Sequence, residues 1–212
     1  MKRWLLLFCC AALWIGFPFG NAMGADAPDV RSRTFTPQEV SAMASARAVI
    51  HTDFGDIVLK FFPEAAPNHV DNFISLARKG FYDGTTFHRV IPGFMIQGGD
   101  PNSRDADRMR HGTGGPGYAL KAEFNQRNHQ RGTLSMARSR QPDSAGSQFF
   151  ICVADAGYLD KQYTVFGEVV DGMTVVDAIV SQDRDSRDNP IKPVKMTVVI
   201  VDAEKEKTGA KD

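Results

Sequence analysis

The amino-acid sequence predicts a mainly β fold, an eight-stranded antiparallel closed β-barrel capped by two α-helices. About eight short runs are rich in β-branched and aromatic residues, with Gly, Pro, Asn or Asp between them. Only two stretches among these runs carry apolar residues at helical spacing, and they lie far apart in the chain. Because a parallel sheet needs regular alternation of strand and helix, its absence favours hairpin connections and closure into a barrel.

The first half of the predicted domain begins with a hairpin and a helix. Residues 48–52 and 56–61 are β-rich runs that flank a Gly-containing turn. Residues 63–79 carry apolar side chains at helical spacing, namely Val70, Phe73, Ile74 and Ala77. We expect Asn68 to cap this helix at its N-terminus and Gly80 to end it.

The stretch of residues 87–100 combines a dense apolar run with Arg89 and Gln97. An even offset keeps two side chains of a strand on one face, but Pro92-Gly93 is a turn signal. We therefore predict two short strands around a tight corner, with a cation, an amide and apolar groups about one surface: Arg89, Phe94, Met95 and Gln97. Such a set is typical of an apolar cleft with a few aimed donors. The alternative is a buried strand with Arg89 and Gln97 at its solvated edge.

The second half continues with strands and one more helix. Strands are predicted at residues 118–124, 133–137, 148–153, 164–170 and 194–201, and a helix at 172–180. The run Gly112-Thr113-Gly114-Gly115 lacks the Lys-Ser/Thr of a phosphate-binding loop and is interpreted as backbone routing. Cys152 lies in an apolar strand and is interpreted as a small buried hydrophobe.

The two ends of the chain differ from the domain in composition. Residues 1–25 have a basic start, an apolar run and small residues, which is typical of a secretory signal peptide cleaved after Ala22 or Ala25. An uncleaved N-terminal anchor is the alternative. Residues 26–47 are interpreted as a linker or arm, in which Thr36-Pro37 can begin a short helix. The folded domain is placed at residues 48–203 and a charged tail at 204–212.

Composition and spacing exclude several functional classes. The 212-residue chain carries 25 Lys plus Arg and 25 Asp plus Glu, so no excess charge favours nucleic acid. The five histidines are scattered without metal-ligand spacing, so no metal or other cofactor is expected. Ala145-Gly146-Ser147-Gln148-Phe149 is not a nucleophile elbow. The remaining groups suit an extended peptide, and rotation about an X-Pro bond is a reaction that such groups can catalyse without covalent chemistry.

At these residues the chain resembles the cyclophilin family of peptidyl-prolyl cis-trans isomerases. The resemblance spans about residues 48–202 and is carried by five motifs: Phe87–Asp100, Gly112–Gly115, Leu134–Ala137, Ser147–Ile151, and Leu159-Asp160 followed by Val165-Phe166-Gly167. The fold that this resemblance implies is an eight-stranded antiparallel barrel with two helices. The activity that it implies is acceleration of X-Pro rotation in peptides and in exported proteins that are folding.

The resemblance also implies roles for individual residues. The catalytic arginine falls on Arg89, with Phe94 and Gln97 as its catalytic neighbours. The substrate-binding positions are Met95, Ala137, Arg138, Gln148, Phe150, Tyr158, Leu159 and Tyr163. Of these, Phe94, Met95, Phe150 and Leu159 match the proline pocket, whereas Ala137 and the backbone of Arg138 match the wall for the preceding residue.

Three positions depart from the best-known eukaryotic pattern. Tyr158 stands in place of Trp, so only weak cyclosporin binding is expected. Tyr163 stands in place of His and is expected to change substrate preference more than rate. Arg138 replaces Asn at a position where the family uses the backbone, so little loss is expected.

With the signal peptide, these features predict a periplasmic, monomeric isomerase that binds proline-containing peptides and unfolded exported proteins, without nucleic acid and without membrane attachment after cleavage. The alternative is a non-catalytic peptide-binding chaperone module that uses the same groove.

Overall fold

The structure, a computed structural model, describes residues 29–202. The predicted signal peptide at residues 1–25 and the charged tail at 204–212 lie outside the described residues. The helices are α1 (Pro37–Ser45), α2 (Pro67–Arg78) and α3 (Met173–Val180). The strands are β1 (Val30–Arg31), β2 (Arg47–Thr52), β3 (Gly55–Phe61), β4 (Arg89–Ile91), β5 (Met95–Gly98), β6 (Ala119–Leu120), β7 (Thr133–Met136), β8 (Phe149–Cys152), β9 (Val165–Asp171) and β10 (Thr197–Val201).

Eight strands form one curled sheet in the order β10-β2-β3-β9-β7-β8-β5-β4, and every neighbouring pair is antiparallel. The predicted strand count and direction are thus confirmed, but the prediction of a closed barrel is wrong. The sheet is an open half-barrel, since β10 and β4 are its edges. The chain segments beside them meet at the isolated bridge between Thr86 and Lys195 and at a hydrogen bond from the Gly84 N–H to the Met196 carbonyl at 2.9 Å. In that register Pro193 would be the next partner on the β4 side, and a proline has no N–H to donate to a ladder.

The predicted number of helices is also wrong, because the described residues contain three rather than two. The additional helix is α1, which the Thr36-Pro37 pattern anticipated within the arm. Thr36 and Glu39 form a reciprocal capping box, in which Thr36 N–H donates to Glu39 Oε2 at 2.7 Å and Glu39 N–H to Thr36 Oγ1 at 3.3 Å.

Helix α2 is capped by a residue distant in the chain. The prediction that Asn68 caps it is wrong, because the helix begins at Pro67 and its N-cap, Ala66, has no side-chain cap. Glu123 supplies the acceptors instead: Asn68 N–H donates to Oε1 at 3.1 Å and His69 N–H to Oε2 at 3.0 Å. A carboxylate at this end also complements the helix dipole.

The predicted strand at residues 118–124 is shorter than expected and lies outside the main sheet. Only β6 forms there, and it pairs in parallel with β1 of the arm in a two-stranded sheet. In the same arm, Met43 of α1 is buried in the main core, and Phe35 and Val40 pack against that core. The segment boundaries assigned from the sequence remain predictions.

The main core lies between the concave sheet and the helices, and aromatic rings make up its centre. Phe73 of α2 is fully buried and its ring centroid lies 5.0 Å from that of Tyr82, 5.4 Å from Phe149 and 5.6 Å from Phe166. Because these rings come from one helix, two strands and a turn, they fix the helix to the sheet. Among residues 29–202, no helix is long and apolar enough to cross a membrane.

Candidate active site

The β4–β5 hairpin brings Arg89 and Gln97 face to face. The two residues are direct partners in the antiparallel register, and Arg89 Nη1 donates to Gln97 Oε1 at 3.4 Å. The turn between the strands has Pro92 at its second position and Gly93, with φ of 73°, at its third, as in a type II turn. The predicted pair of short strands around a tight corner is thus confirmed. Both Arg89 and Gln97 are half-buried.

A chain of amides holds Gln97 in this orientation. Gln97 Nε2 donates to Gln148 Oε1 at 3.0 Å, and Gln148 Nε2 donates to the Gly114 carbonyl at 2.9 Å. Because each amide nitrogen has an acceptor, the oxygen of Gln97 is the atom left to face Arg89. The glycine run at residues 112–115 thus takes part through its backbone, in line with its interpretation as a loop.

Beside this hairpin lies a small apolar cluster that is separate from the main core. Its buried members are Met95, Phe150, Cys152, Ala156 and Leu159, and Ile91, Phe94, Ala137 and Tyr163 pack against them. All four residues that the resemblance assigned to the proline pocket lie in this cluster. The β5–β8 register produces the arrangement, since it pairs Gln97 with Phe150 and Met95 with Cys152.

Aromatic rings form the accessible side of the cluster. The ring centroid of Phe94 lies 6.5 Å from that of Phe150 and 5.8 Å from that of Tyr158, and Tyr163 meets Phe150 edge-on at 5.9 Å. Tyr158 is 65% exposed and stands at the rim. The rings therefore leave an apolar, partly accessible surface, and the strand register places Gln97, the partner of Arg89, opposite Phe150.

Arg138 lies at the other side of the rim with its guanidinium directed to the backbone. Its Nε and Nη2 donate to the Gln162 carbonyl at 3.0 Å and 2.8 Å, and its Cζ lies 4.5 Å from the centre of the Tyr163 ring. The side chain thus buttresses Tyr163. The expectation that a side-chain change here costs little stays a prediction.

Two cavities open on either side of Gln97. The first has a volume of about 320 Å³, and its lining includes Ala137, Arg138 and Gln148, the predicted wall and second polar contact. The second, of about 210 Å³, opens on the Arg89 side. The predicted polar residues therefore line the two cavities, which share Gln97, whereas the predicted pocket residues form the apolar cluster.

Cys152 is not placed for covalent chemistry. It is fully buried, and burial, followed by the charges of Asp160 and Asp155, raises the pKa of its thiol to about 12. Since the thiolate is the nucleophilic form, Cys152 acts as a packing residue of the apolar cluster. No group of three or more His, Cys, Asp or Glu side chains within residues 29–202 is arranged to hold a metal ion.

Comparison with known proteins identifies the family. A family profile described as cyclophilin type peptidyl-prolyl cis-trans isomerase/CLD matches residues 47–201. The chain belongs to this family. It is a cyclophilin-type peptidyl-prolyl cis-trans isomerase, as the motifs indicated.

Similar proteins carry the same description. A peptidyl-prolyl cis-trans isomerase of Helicobacter pylori is 43% identical over 155 residues, which is 71% of this chain and 90% of that protein. One of Synechococcus elongatus is 47% identical over 140 residues, 65% of this chain and 91% of that protein. A crystal structure of a cyclophilin-type isomerase of Cryptosporidium parvum, obtained in the presence of the dipeptide Ala-Pro, has a TM-score of 0.67 and 33% identity, and covers 73% of this chain and 98% of that one.

Behind the apolar cluster of this cyclophilin lies a polar group that sequence reasoning missed. His129 stacks on Phe150, with ring centroids 6.0 Å apart and planes at 12°. Its Nδ1 lies 2.9 Å from Asp160 Oδ1 and its Nε2 lies 3.0 Å from Ser135 Oγ. Burial lowers the pKa of His129 although Asp160 favours the charged form.

The contacts run from Ser135 to His129 to Asp160, as in a nucleophilic triad, but here they hold His129 against the Phe150 ring. Ser135 is fully buried, and its hydroxyl also lies 3.0 Å from the Thr164 carbonyl, so no substrate carbonyl can reach it. His129, Ser135 and Asp160 are separated by 6 and 31 residues, and no local pattern links them. Only their common position behind Phe150 reveals the contact.

Proposed function

We propose that this cyclophilin accelerates X-Pro rotation by a non-covalent mechanism in which Arg89 stabilises the twisted amide. The observation that supports the proposal is the position of Arg89: it lies opposite Gln97, which holds its guanidinium and itself lies opposite Phe150 of the apolar cluster. The other predicted binding residues surround the same cluster.

In this mechanism the prolyl ring occupies the cluster formed by Phe94, Met95, Phe150 and Leu159. The barrier to rotation is about 18–20 kcal/mol and comes from amide resonance. When the bond twists, the nitrogen regains its lone pair and becomes a hydrogen-bond acceptor. A donor at Arg89 therefore binds the twisted state better than either planar isomer, which is the condition for catalysis.

Three groups set up this donor. Gln97 fixes the guanidinium, and Gln148 in turn fixes Gln97. The apolar rings limit water around Arg89, so that its interaction with the nitrogen is less screened than in bulk solvent. The proline ring stays in place while the preceding carbonyl moves over the wall formed by Ala137 and the backbone of Arg138.

The proposal can be tested with the protein purified after export and a tetrapeptide containing Ala-Pro-Phe, whose exchange is followed by NMR. We expect wild-type protein to accelerate exchange. Arg89→Ala should raise the activation free energy by about 2–4 kcal/mol, as for loss of one donor to a developing lone pair. This corresponds to a decrease in kcat/KM of roughly 30-fold to nearly 1,000-fold.

Arg78→Ala is the matched control, because Arg78 is a surface arginine on α2 that pairs with Asp202. It should keep the wild-type rate. Full activity of Arg89→Ala would contradict the assigned role of the arginine. Peptide binding by wild-type protein without acceleration would favour a non-catalytic chaperone module.

We further propose that the substrates are exported proteins in the periplasm, with which the protein acts as a monomer. The support is the composition of residues 1–25: a basic start, an apolar run and small residues. N-terminal sequencing of the protein from a fractionated cell should find residues beginning at Met23 or Asp26 in the periplasmic fraction. Retention of Met1 in the membrane fraction would instead indicate an uncleaved anchor.

A further inference from the structure

The cavity on the Arg89 side has no role in the mechanism above. Its volume is about 210 Å³, and its wall combines His88 and Arg89 with two loops that carry Arg108, Asp185 and Arg187. It meets the first cavity at Gln97 and Gly112, which line both.

Hydrogen bonds between the two loops fix this wall. Arg108 Nη2 contacts Asp185 Oδ2 at 2.8 Å and donates to the Asn189 carbonyl at 2.9 Å. Asn189 Nδ2 donates to His111 Nδ1 at 2.9 Å, and Arg187 Nη1 donates to the Arg108 carbonyl at 3.1 Å. The cavity is therefore bounded by loops that are tied together.

His88 provides the inner surface of the cavity and is left without partners. It is 4% exposed, and neither ring nitrogen has a hydrogen-bond partner among residues 29–202. Burial lowers the pKa of His88 to about 4, although the nearby Asp100 carboxylate favours the charged form. The neutral ring offers one donor and one acceptor, and a buried polar group of this kind gains from a ligand that satisfies it.

The lining carries an excess of positive charge. Arg108 is paired with Asp185, whereas Arg89 and Arg187 have no carboxylate within 4.0 Å in the part of the chain that the structure describes. Asp100 lies behind His88, but its oxygens accept three backbone N–H groups, from Asn102, Gly112 and Gly114. Two guanidinium groups that lack a carboxylate partner among the described residues favour a carboxylate ligand near this cavity.

We infer that this cavity binds an acidic side chain of the substrate, located one to three residues after the proline. The inference rests on the proposed function for the direction of the peptide. The residue before proline lies against Ala137 and Arg138 in the first cavity, and the ring lies in the apolar cluster. A chain that continues past Arg89 then leaves over the second cavity, where Arg187 receives the carboxylate.

The test uses the purified protein and peptides that share the core Ala-Ala-Pro. Glu or Gln follows at the first, second or third position after proline, and the C-terminus is amidated. NMR titration gives Kd and exchange spectroscopy gives the isomerisation rate. We expect one Glu peptide to bind about three- to tenfold more tightly than its Gln partner, and the difference to shrink at high salt.

Variants assign the effect to the cavity. Arg187→Gln should remove the preference for Glu, and Arg187→Glu should reverse it in favour of a Lys peptide. Arg78→Gln, at a paired surface arginine away from the cavity, should retain it. Arg187 is exposed, so these substitutions do not disturb the core.

Equal Kd values for all Glu and Gln pairs would overturn the inference, and continued isomerisation in that experiment would leave the proposed function intact. The same peptides with a free C-terminal carboxylate serve as a comparison: tighter binding of the free-acid forms alone, with equal binding of the amidated Glu and Gln peptides, would overturn the assignment to a side chain. A preference that survives Arg187→Gln would place the carboxylate elsewhere. Kd is measured independently of rate, so failure of the isomerase activity does not obscure these outcomes.

Discussion

Two apolar clusters of this protein use similar side chains for different ends. The main core packs Phe73 against Tyr82, Phe149 and Phe166, and each of these rings is fully buried. The second cluster packs Phe94 against Phe150 and Tyr158, and its outer ring is 65% exposed. The second cluster also has a charged neighbour, because half-buried Arg89 lies opposite Gln97, which in turn lies opposite Phe150. The comparison supports a division in which the core serves stability and, under the proposed function, the cluster serves binding.

Substitution in the main core should give the largest effect on stability. Phe73→Ala removes a fully buried ring that no neighbour can replace, so the free energy of unfolding should fall by about 3–5 kcal/mol. Chemical denaturation measures it. Activity per folded molecule should stay close to wild type, because the ring does not line the site.

The control for this substitution is Val199→Ala, since Val199 lies on the same sheet but is 44% exposed. It should change stability by less than about 1 kcal/mol. A small effect of Phe73→Ala together with a large loss of activity would break the division between the two clusters.

The cap of α2 should give an intermediate effect, with a defined dependence on pH. Glu123→Gln removes the charged acceptor of two backbone N–H groups, so the free energy of unfolding should fall by about 1 kcal/mol at pH 7. Burial raises the pKa of Glu123, but hydrogen bonds from His69 and Asn68 outweigh it and lower the pKa below its ordinary value of 4.5.

The sign follows from this lowered pKa. The stabilisation is fully present above pH 4.5 and is lost as the pH falls through the lower pKa of the folded state. The difference between wild type and Glu123→Gln, measured by denaturation at several pH values, should therefore narrow on acidification. A difference that grows below pH 4 would contradict this account of the cap.

A rim substitution should give the smallest effect, and on activity rather than stability. Phe94→Ala removes a half-buried ring from the proposed proline pocket, and we expect kcat/KM to fall about five- to tenfold, as for loss of one aromatic contact. The free energy of unfolding should fall by less than about 1.5 kcal/mol, which is a smaller decrease than for Phe73→Ala. A larger loss of stability than for Phe73→Ala would place Phe94 in the core.

Local features of the fold could be predicted from the sequence. Pro92-Gly93 marks the turn of the β4–β5 hairpin, and Gly55 marks that of β2–β3, because both turns depend on residues next to each other. Thr36 predicted the start of α1 for the same reason. The motif residues of the site could be placed through the resemblance, which links segments that are distant in the chain.

Features that depend on distant partners escaped prediction. Glu123 caps a helix that begins more than 50 residues earlier, so the local pattern pointed to Asn68 instead. The parallel pair of β1 and β6 and the open edge of the sheet follow from tertiary contacts that periodicity does not encode. His129 joins Phe150 only in the folded state, and its sequence context contains no sign of that contact.

The most direct test of the central claim separates binding from catalysis in Arg89→Ala. If Arg89 acts on the twisted amide, Kd for the Ala-Pro-Phe peptide should change by less than about threefold while kcat at saturation falls by roughly 30-fold or more. An NMR titration with the peptide measures Kd, and exchange NMR at saturating peptide measures kcat. An increase in Kd of roughly 30-fold with kcat unchanged would show that Arg89 binds the planar isomers as well as it binds the twisted state. That result would contradict the account.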